Sequence, residues 1–484
     1  MPYGLEEEFT MPDLHFKTLT GSDTKLTSQT IDKLRESIRG KILTPESEQY
    51  NEARTIWNAM IDKRPALIVR CASAADVTRA VRFAGEHKLL LAVRSGGHNI
   101  AGNAVCDGGL MIDLSPMKSV RVDAKGMTAR VEPGVTLGEF DRDAQAFGLA
   151  TPVGVNSTTG IAGLTLGGGF GWLSRKLGLS IDNLISADVV TATGDLVTAS
   201  ETDHPDLFWG IRGGGGNFGV VTSFEFRLHK VGPEVFAGLI VHPLDGARDA
   251  LRFYRDFMKT TPPEFTCWFV LRKAPPLPFL PSEWHGKEIL VLALHYAGDL
   301  KEGERVAKPL RAFGKPIGEH VGPMPYTAWQ TVLDPLLTPG MRNYWKSHDF
   351  KEVSDGLIDA LIAHARRIPD PQTEIALAFL GEGVTKVSKE ATAYTHRDAA
   401  FVMNVHTRWD NPANDTKCIG WARELFQAAA PFATGGAYVN FMTQEEQERV
   451  RSAYGSNYDR LASLKKKYDP DNLFRLNQNI QPAK

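Results

Sequence analysis

Arg94-Ser95-Gly96-Gly97-His98-Asn99 follows the apolar run Leu89–Val93, which reads as a buried strand. A strand running directly into Ser-Gly-Gly offers backbone N–H groups with no side chains in the way. Close approach of a phosphate or pyrophosphate needs that, and Arg94 adds positive charge beside it. A tight turn would look the same at this level, so the weight of the stretch depends on what surrounds it.

Upstream, Pro65–Val69 reads as a strand. Ser73 with Asp76 marks a helix start, and Val77, Ala80, Val81 and Ala84 form one apolar face ending near Gly85. With Leu89–Val93 this makes a β-α-β unit that delivers the chain into the Arg94–Asn99 loop. Earlier still, helices are expected near Ser28–Arg39 and Glu48–Met60. Downstream, Leu110–Leu114 and Met127–Val131 read as strands, and Thr136–Phe147 as a helix closed by Gly148.

Fifteen of the 45 glycines fall between Gly154 and Gly219. Their flanks are apolar and rich in strand formers, which argues against a flexible linker and for backbone packed against something flat and large. Gly214–Gly219 satisfies G-x-G-x-x-G, but Val220–Leu228 alternates like a strand where a dinucleotide motif requires a helix. No Walker A lysine, metal-spaced His/Cys/carboxylate cluster or G-x-S-x-G elbow is present. Beyond Val231, strands at Thr266–Leu271, Ile289–Tyr296, Glu374–Leu380 and Phe401–Thr407 are interleaved with helices at Leu300–Phe313, Val353–Arg367 and Thr416–Ala429. That pattern predicts an antiparallel or mixed sheet with helices on one face. A charged helix is expected around Gln444–Lys467.

The 484-residue chain is too long for one core. A net charge of −2 gives no argument for nucleic acid or an anionic membrane, and no apolar run reaches a membrane span. Cys71, Cys106, Cys267 and Cys418 are scattered and read as inert thiols of a reducing compartment. Gly4–Glu8 carries no secretory pattern, so the expected location is cytoplasmic. Oligomeric state is not legible.

Together, Arg94–His98, the triple-glycine segment Gly160–Asp182, Gly213–Val220, Tyr344-Trp345-Lys346-Ser347 and the tail from Tyr468 to Asn477-Gln478 resemble flavoprotein oxidases of the vanillyl-alcohol-oxidase and para-cresol-methylhydroxylase (PCMH) type, most closely the berberine-bridge-enzyme group. The resemblance implies an α+β fold: a two-part, PCMH-type FAD-binding domain (1–232, completed by 436–484) and an antiparallel-sheet substrate domain (233–435) with helices on one face. It assigns cofactor contacts to Arg94, Ser95, Gly96, Gly97, His98, Asn99, Gly154, Asn156, Thr158, Thr159, Gly160, Gly163, Gly168, Gly171, Val220 and Asn477. Gly96 and Gly97 would face the pyrophosphate. His98 matches the histidine bonded covalently to the flavin 8α carbon, and a neutral imidazole nitrogen is a competent nucleophile for that bond. Asn156 stands where many members carry a second, cysteine anchor, so a single covalent link is expected. Thr159 occupies a position tied to oxygen access, and a threonine there leaves oxidase and dehydrogenase open.

Flavin oxidation of an alcohol or amine needs hydride transfer to N5 and a base for the remaining proton. The resemblance implies an alcohol, sugar or secondary-metabolite substrate, with molecular oxygen as re-oxidant. Oxidative cyclisation and a flavin-binding protein without catalysis stand as alternatives. Val402, Asn404 and His406 share one strand face. Asn404 occupies a position where the group often carries glutamate or glutamine, and it cannot accept a proton. Tyr438, in Tyr438-Val439-Asn440, matches a motif found beside the flavin, and as a base it would need its pKa lowered from about 10. His406 needs no such help. Tyr344 and Trp345 are expected on the substrate face or in the core.

Overall fold

The computed structural model describes residues 13–484, so the Gly4–Glu8 reading lies outside the described residues. Three sheets organise the chain. The first, in the order Lys41–Leu43, Leu67–Arg70, Leu110–Asp113, Leu91–Arg94, holds the predicted β-α-β unit, with Leu67–Arg70 and Leu91–Arg94 both parallel to the central Leu110–Asp113. Its crossover helix, Ala74–Glu86, starts at the Ser73 cap and buries Val77, Ala80, Val81 and Ala84. The Asp76 carboxylate does more than cap: it accepts the N–H groups of Arg39, Gly40 and Ala72, tying the N-terminal segment to this helix.

The second sheet, all antiparallel, runs Leu196–Ser200, Leu184–Val190, Val220–Arg227, Thr128–Val131, Val120–Asp123. Val220–Arg227 is a strand, as the alternation requires, so the preceding glycines open no dinucleotide helix. The C-terminal segment returns to this core: Ala437, Met442, Leu461 and Ile480 are buried with Phe224 and Phe226. Buried Lys465 fastens the return by donating to Asp469, to the Asn217 carbonyl at 2.7 Å and to the Phe474 carbonyl at 3.0 Å.

The third sheet has seven antiparallel strands in the order Gly318–Pro325, Glu234–Pro243, Glu288–Tyr296, Phe265–Lys273, Glu374–Phe379, Phe401–Trp409, Arg342–Phe350. Helices Ala247–Met258, Leu300–Ala312, Asp355–Ala365 and Asp415–Ala429 supply apolar residues to its core.

Two helix expectations need correction. Glu48–Met60 forms a helix only over Tyr50–Arg54, because the chain turns extended at Thr55 to bury Ile56 and Trp57. Gln444–Lys467 is interrupted, with α-helices at Val450–Tyr454 and Tyr458–Tyr468, since Gly455 takes a left-handed φ of 50° that ends the first. All four cysteines are free and buried. Among the described residues no helix is long and apolar enough to cross a membrane, and no His/Cys/carboxylate group could hold a metal ion.

Candidate active site

Between the loops after Arg94, the glycine-dense segment and the inner face of the seven-stranded sheet lies a cavity of about 380 Å³. Ser95, Gly96, Gly97, His98 and Asn99 line it, joined by Gly154, Asn156, Thr159, Gly160, Gly163, Val220 and Asn477. Close backbone contact explains the glycines. A Cβ on Gly96 would stand 2.4 Å from the Gly160 nitrogen, and Gly97 has a φ of 71°.

Four of the expected cofactor residues lie off the cavity lining. Arg94 turns back so that its Nη1 donates to the Ala53 carbonyl, while its Nε has no partner in the protein. Gly168 is packed against the rings of Tyr394 and Tyr438, and Gly171 against the Val153 carbonyl. Thr158 stands behind His98 and acts through it.

That arrangement fixes the histidine. The Thr158 backbone N–H donates to Asn156 Oδ1 at 3.0 Å, which orients the amide. The Thr158 hydroxyl donates to the same oxygen at 2.8 Å, so its proton is committed there. Toward His98 Nε2, 2.9 Å away, Thr158 Oγ1 can then only accept. His98 therefore carries its proton on Nε2 and keeps the Nδ1 lone pair, which lies 3.5 Å from Thr159 Oγ1. Burial pushes the ring's pKa down to about 3, so it is neutral. Trp57 stacks on it with centroids 5.1 Å apart. No sequence motif marks Trp57; its signal is only an aromatic in a polar N-terminal segment.

The sheet wall is a grid set by register. Arg272, Glu374, His406 and Trp345 pair across four strands in one row, and Val291, Val270, Ala376 and Asn404 form the next. Arg272 Nη1 donates to Glu374 at 2.6 Å. Burial pushes the Glu374 carboxyl up, but Arg272 and His406 outweigh it and hold it below the ordinary value. His406 lines the cavity as expected, yet its Nδ1 is 3.3 Å from Glu374 and its Nε2 3.3 Å from Asn343 Oδ1. Burial lowers its pKa against the pull of Glu374. Both partners are acceptors, so a neutral His406 ring donates to one of them and keeps a lone pair on its other nitrogen. Arg272 and Glu374 have no motif, because only strand register brings them to His406.

Tyr438, on a short turn from Val439 to Phe441, faces the same cavity. Its hydroxyl oxygen accepts from the Gly169 N–H at 3.1 Å and Asn440 Nδ2 at 3.0 Å. Burial pushes its pKa up to about 12 against these two donors, opposite to the lowering expected of a base. Tyr344 faces away: it hydrogen-bonds Glu445 and Arg423, while Trp345 lines the cavity. The Cys106 thiol is buried, and that burial pushes its pKa up to about 12.

A flavin fits this setting. Asn103 Nδ2 and Gln478 Oε1 are buried at the cavity with no partner in the protein, and Gly163 presents bare backbone where a Cβ would meet open space. Asn477 donates to the Gly216 carbonyl at 3.0 Å, closing the C-terminal tail over the glycine loop.

This fold and cavity define an FAD-binding oxidoreductase of the PCMH type. Residues 65–200 match the family model described as FAD binding domain, and residues 437–481 match that of berberine and berberine-like proteins. The chain is 31% identical to an FAD-linked oxidoreductase of Dictyostelium discoideum, with 94% of this chain and 97% of the relative covered. It is 32% identical to (R)-6-hydroxynicotine oxidase of Paenarthrobacter nicotinovorans over 92% and 97%. The crystal structure of 6-hydroxy-D-nicotine oxidase from Arthrobacter nicotinovorans superposes with a TM-score of 0.83 at 30% identity, covering 92% of this chain and 99% of that one. A chitooligosaccharide oxidase structure gives 0.82 at 25% identity over 94% and 100%. The chain belongs to the berberine-bridge-enzyme-like family of FAD-linked oxidoreductases, and it is an enzyme.

Proposed function

We propose that this chain is an oxidase that holds FAD by one covalent bond, through His98, and oxidises a small organic molecule, with molecular oxygen as re-oxidant. The observation that carries the covalent bond is the relay from Asn156 through Thr158 to His98: it leaves Nδ1 with a free lone pair on a ring that burial keeps neutral. FAD supplies the two-electron acceptor for a substrate hydride. Around it, Ser95–Gly97 and the 154–163 segment would bind the cofactor through backbone, and Asn477 would close it in. Asn156 carries no nucleophile, which supports a single anchor. Tyr438 is the candidate to relay the substrate's proton, since its oxygen has two amide donors ready to stabilise negative charge.

Mass spectrometry of the intact, acid-denatured protein tests the anchor. The expected mass is that of the chain plus one FAD, and His98→Ala should return the bare chain while still binding flavin reversibly. Flavin released completely from the unaltered protein by acid would overturn the covalent reading. Tyr438→Phe should lower kcat by about 100-fold, the usual scale for a lost proton-transfer group, with flavin content unchanged.

A further inference from the structure

The support that fixes His98 does not end inside its own loop. Trp57, which stacks on the ring, donates its indole N–H to the Leu337 carbonyl at 3.1 Å. Asn156, whose Oδ1 takes the Thr158 proton away from the ring, turns its Nδ2 to the same carbonyl at 3.5 Å. A carbonyl oxygen has two lone pairs, so one peptide oxygen ends both the stacking support and the tautomer relay. Three residues earlier, the Asp334 carboxylate grips Ser157, which lies between Asn156 and Thr158. It accepts the Ser157 backbone N–H at 3.0 Å on one oxygen and the hydroxyl on the other. A two-point, charge-assisted grip fixes direction as well as distance.

Both groups belong to the sheet wall. They lie in the loop between helix Tyr326–Gln330 and the strand Arg342–Phe350, and Leu333, Leu336 and Leu337 of that loop line the cavity together with Trp57. Arg408, on the neighbouring strand Phe401–Trp409, holds the loop to the sheet through the Thr338 carbonyl at 2.6 Å and hydroxyl at 2.9 Å. The 156–159 turn has a scaffold of its own: the Gly138 N–H donates to the Ser157 carbonyl and the Leu137 N–H to the Thr159 carbonyl, both at 2.9 Å. What the loop adds to that turn is aim.

Resting on the covalent-flavin reading above, we infer that Asp334 and the Leu337 carbonyl are positioning groups for the His98 bond, so that the flavin is tethered only when this loop is seated on the 156–159 turn. In the bond-forming step the 8α methyl gives up one proton, the imidazole gives up its Nε2 proton, and Nδ1 joins the 8α carbon. The two electrons released leave through the flavin to molecular oxygen, which takes up the two protons as hydrogen peroxide. That step asks two things of the protein: an Nδ1 that is bare, and a ring held in line with the methyl group. Asn156 and Trp57 supply them, and both are fastened to the loop. Small losses of aim are costly in such a step.

The test mixes the full chain, purified without flavin, with FAD. Quenching of flavin fluorescence reads reversible uptake, and intact mass after acid reads tethering. Asp334→Ala should take up FAD at much the same concentration as the unaltered chain but gain covalent mass about tenfold or more slowly. Asp334→Asn keeps an acceptor for the Ser157 N–H and should recover most of the rate. Trp57→Phe keeps a ring on His98 and loses the bond to Leu337, so slowed tethering is expected there as well, and it carries the test if Asp334→Ala does not fold. Unslowed tethering in either variant overturns the proposal, and so does an equal loss of uptake and tethering, which would mark a merely structural role. An unaltered chain that takes up FAD and never gains mass defeats the covalent reading instead. Nitrogen-15 spectra of histidine-labelled protein, with His98→Ala supplying the assignment, then still test the positioning. The His98 ring should hold its proton on Nε2 in the unaltered chain and become a mixture of tautomers in Asp334→Ala; the same tautomer in both overturns it.

Discussion

The two walls of the cavity are built on opposite terms. The glycine-rich wall is mostly backbone: loops at 95–99, 154–163 and 215–221 come close enough that Gly96 and Gly160 exclude a Cβ from one another. The other wall is side chain, presented by a rigid antiparallel sheet whose strands are scattered from Glu234 to Trp409. A backbone wall tolerates almost no substitution and recognises what every family member binds. A side-chain wall can be rewritten one residue at a time without disturbing the ladder beneath it, which suits it to substrate choice.

The sharpest way to break this contrast is at Gly96. Gly96→Val should abolish flavin binding, because the new side chain must occupy the space of the Gly160 backbone, and the protein should purify without flavin absorbance. A yellow variant with normal flavin content would show that this wall yields after all.

On the sheet wall, the largest effect should come from the buried ion pair. Glu374→Leu strands Arg272, 6% exposed, without its partner. The expected cost is about 3–5 kcal/mol in denaturant unfolding, with FAD still taken up. The double variant Arg272→Leu/Glu374→Leu should recover most of that loss, since an apolar pair leaves no unpaired charge. Equal losses in the single and double variants would mean that the pair does more than neutralise itself.

The same contrast decides what could be read in advance. Backbone sites are local, so Gly96, Gly97 and His98 are legible as a contiguous motif, and the helix and strand periods around them give the β-α-β unit and two of the five strands of the second sheet, Thr128–Val131 and Val220–Arg227. The strand face Val402, Asn404, His406 is legible from a period of two. Arg272 and Glu374 are not, because only the register of strands about a hundred residues apart makes them neighbours. Trp57 is hidden for the same reason: its stacking on His98 is a long-range contact inside a stretch that resembles a helix. Arg94 is legible only as a cation beside glycines, and the donation of its Nη1 to the Ala53 carbonyl is a contact that no local pattern announces.

Where the walls meet, Asp141 of helix Leu137–Gln145 accepts from Gln330 Nε2 at 2.8 Å, and Gln330 also reaches the Gly154 carbonyl. Burial raises the Asp141 pKa to about 7. The folded chain thus holds this proton up to about pH 7, whereas the unfolded chain releases it near 3.8. This group's contribution to stability therefore declines as pH climbs between those values, and the loss is complete above them. Asp141→Asn removes the titration, so its stability relative to the unaltered chain should be about 4 kcal/mol more favourable at pH 8 than at pH 4, whatever constant cost the buried amide adds. Thermal unfolding across that range measures it; an unchanged pH slope would free Asp141 from this role.

The smallest expected change in stability has the finest chemical readout. Asn156→Ala removes two hydrogen bonds within a half-buried turn and a long one from Nδ2 to the Leu337 carbonyl, about 1 kcal/mol in all. It also releases the Thr158 hydroxyl proton, which can then donate to His98 Nε2 and leave the ring's own proton on Nδ1, the atom that must stay bare. Tethering should slow even though no atom of the nucleophile has changed. Apoprotein mixed with FAD and sampled by intact mass should therefore show a lower rate of mass gain for Asn156→Ala. Asn156→Asp keeps an acceptor oxygen in place and should restore the rate toward that of the unaltered chain. If both variants tether at the unaltered rate, the tautomer is set elsewhere. If only the alanine variant lags, the residue standing at the second-anchor position serves the first anchor by holding a proton away from it.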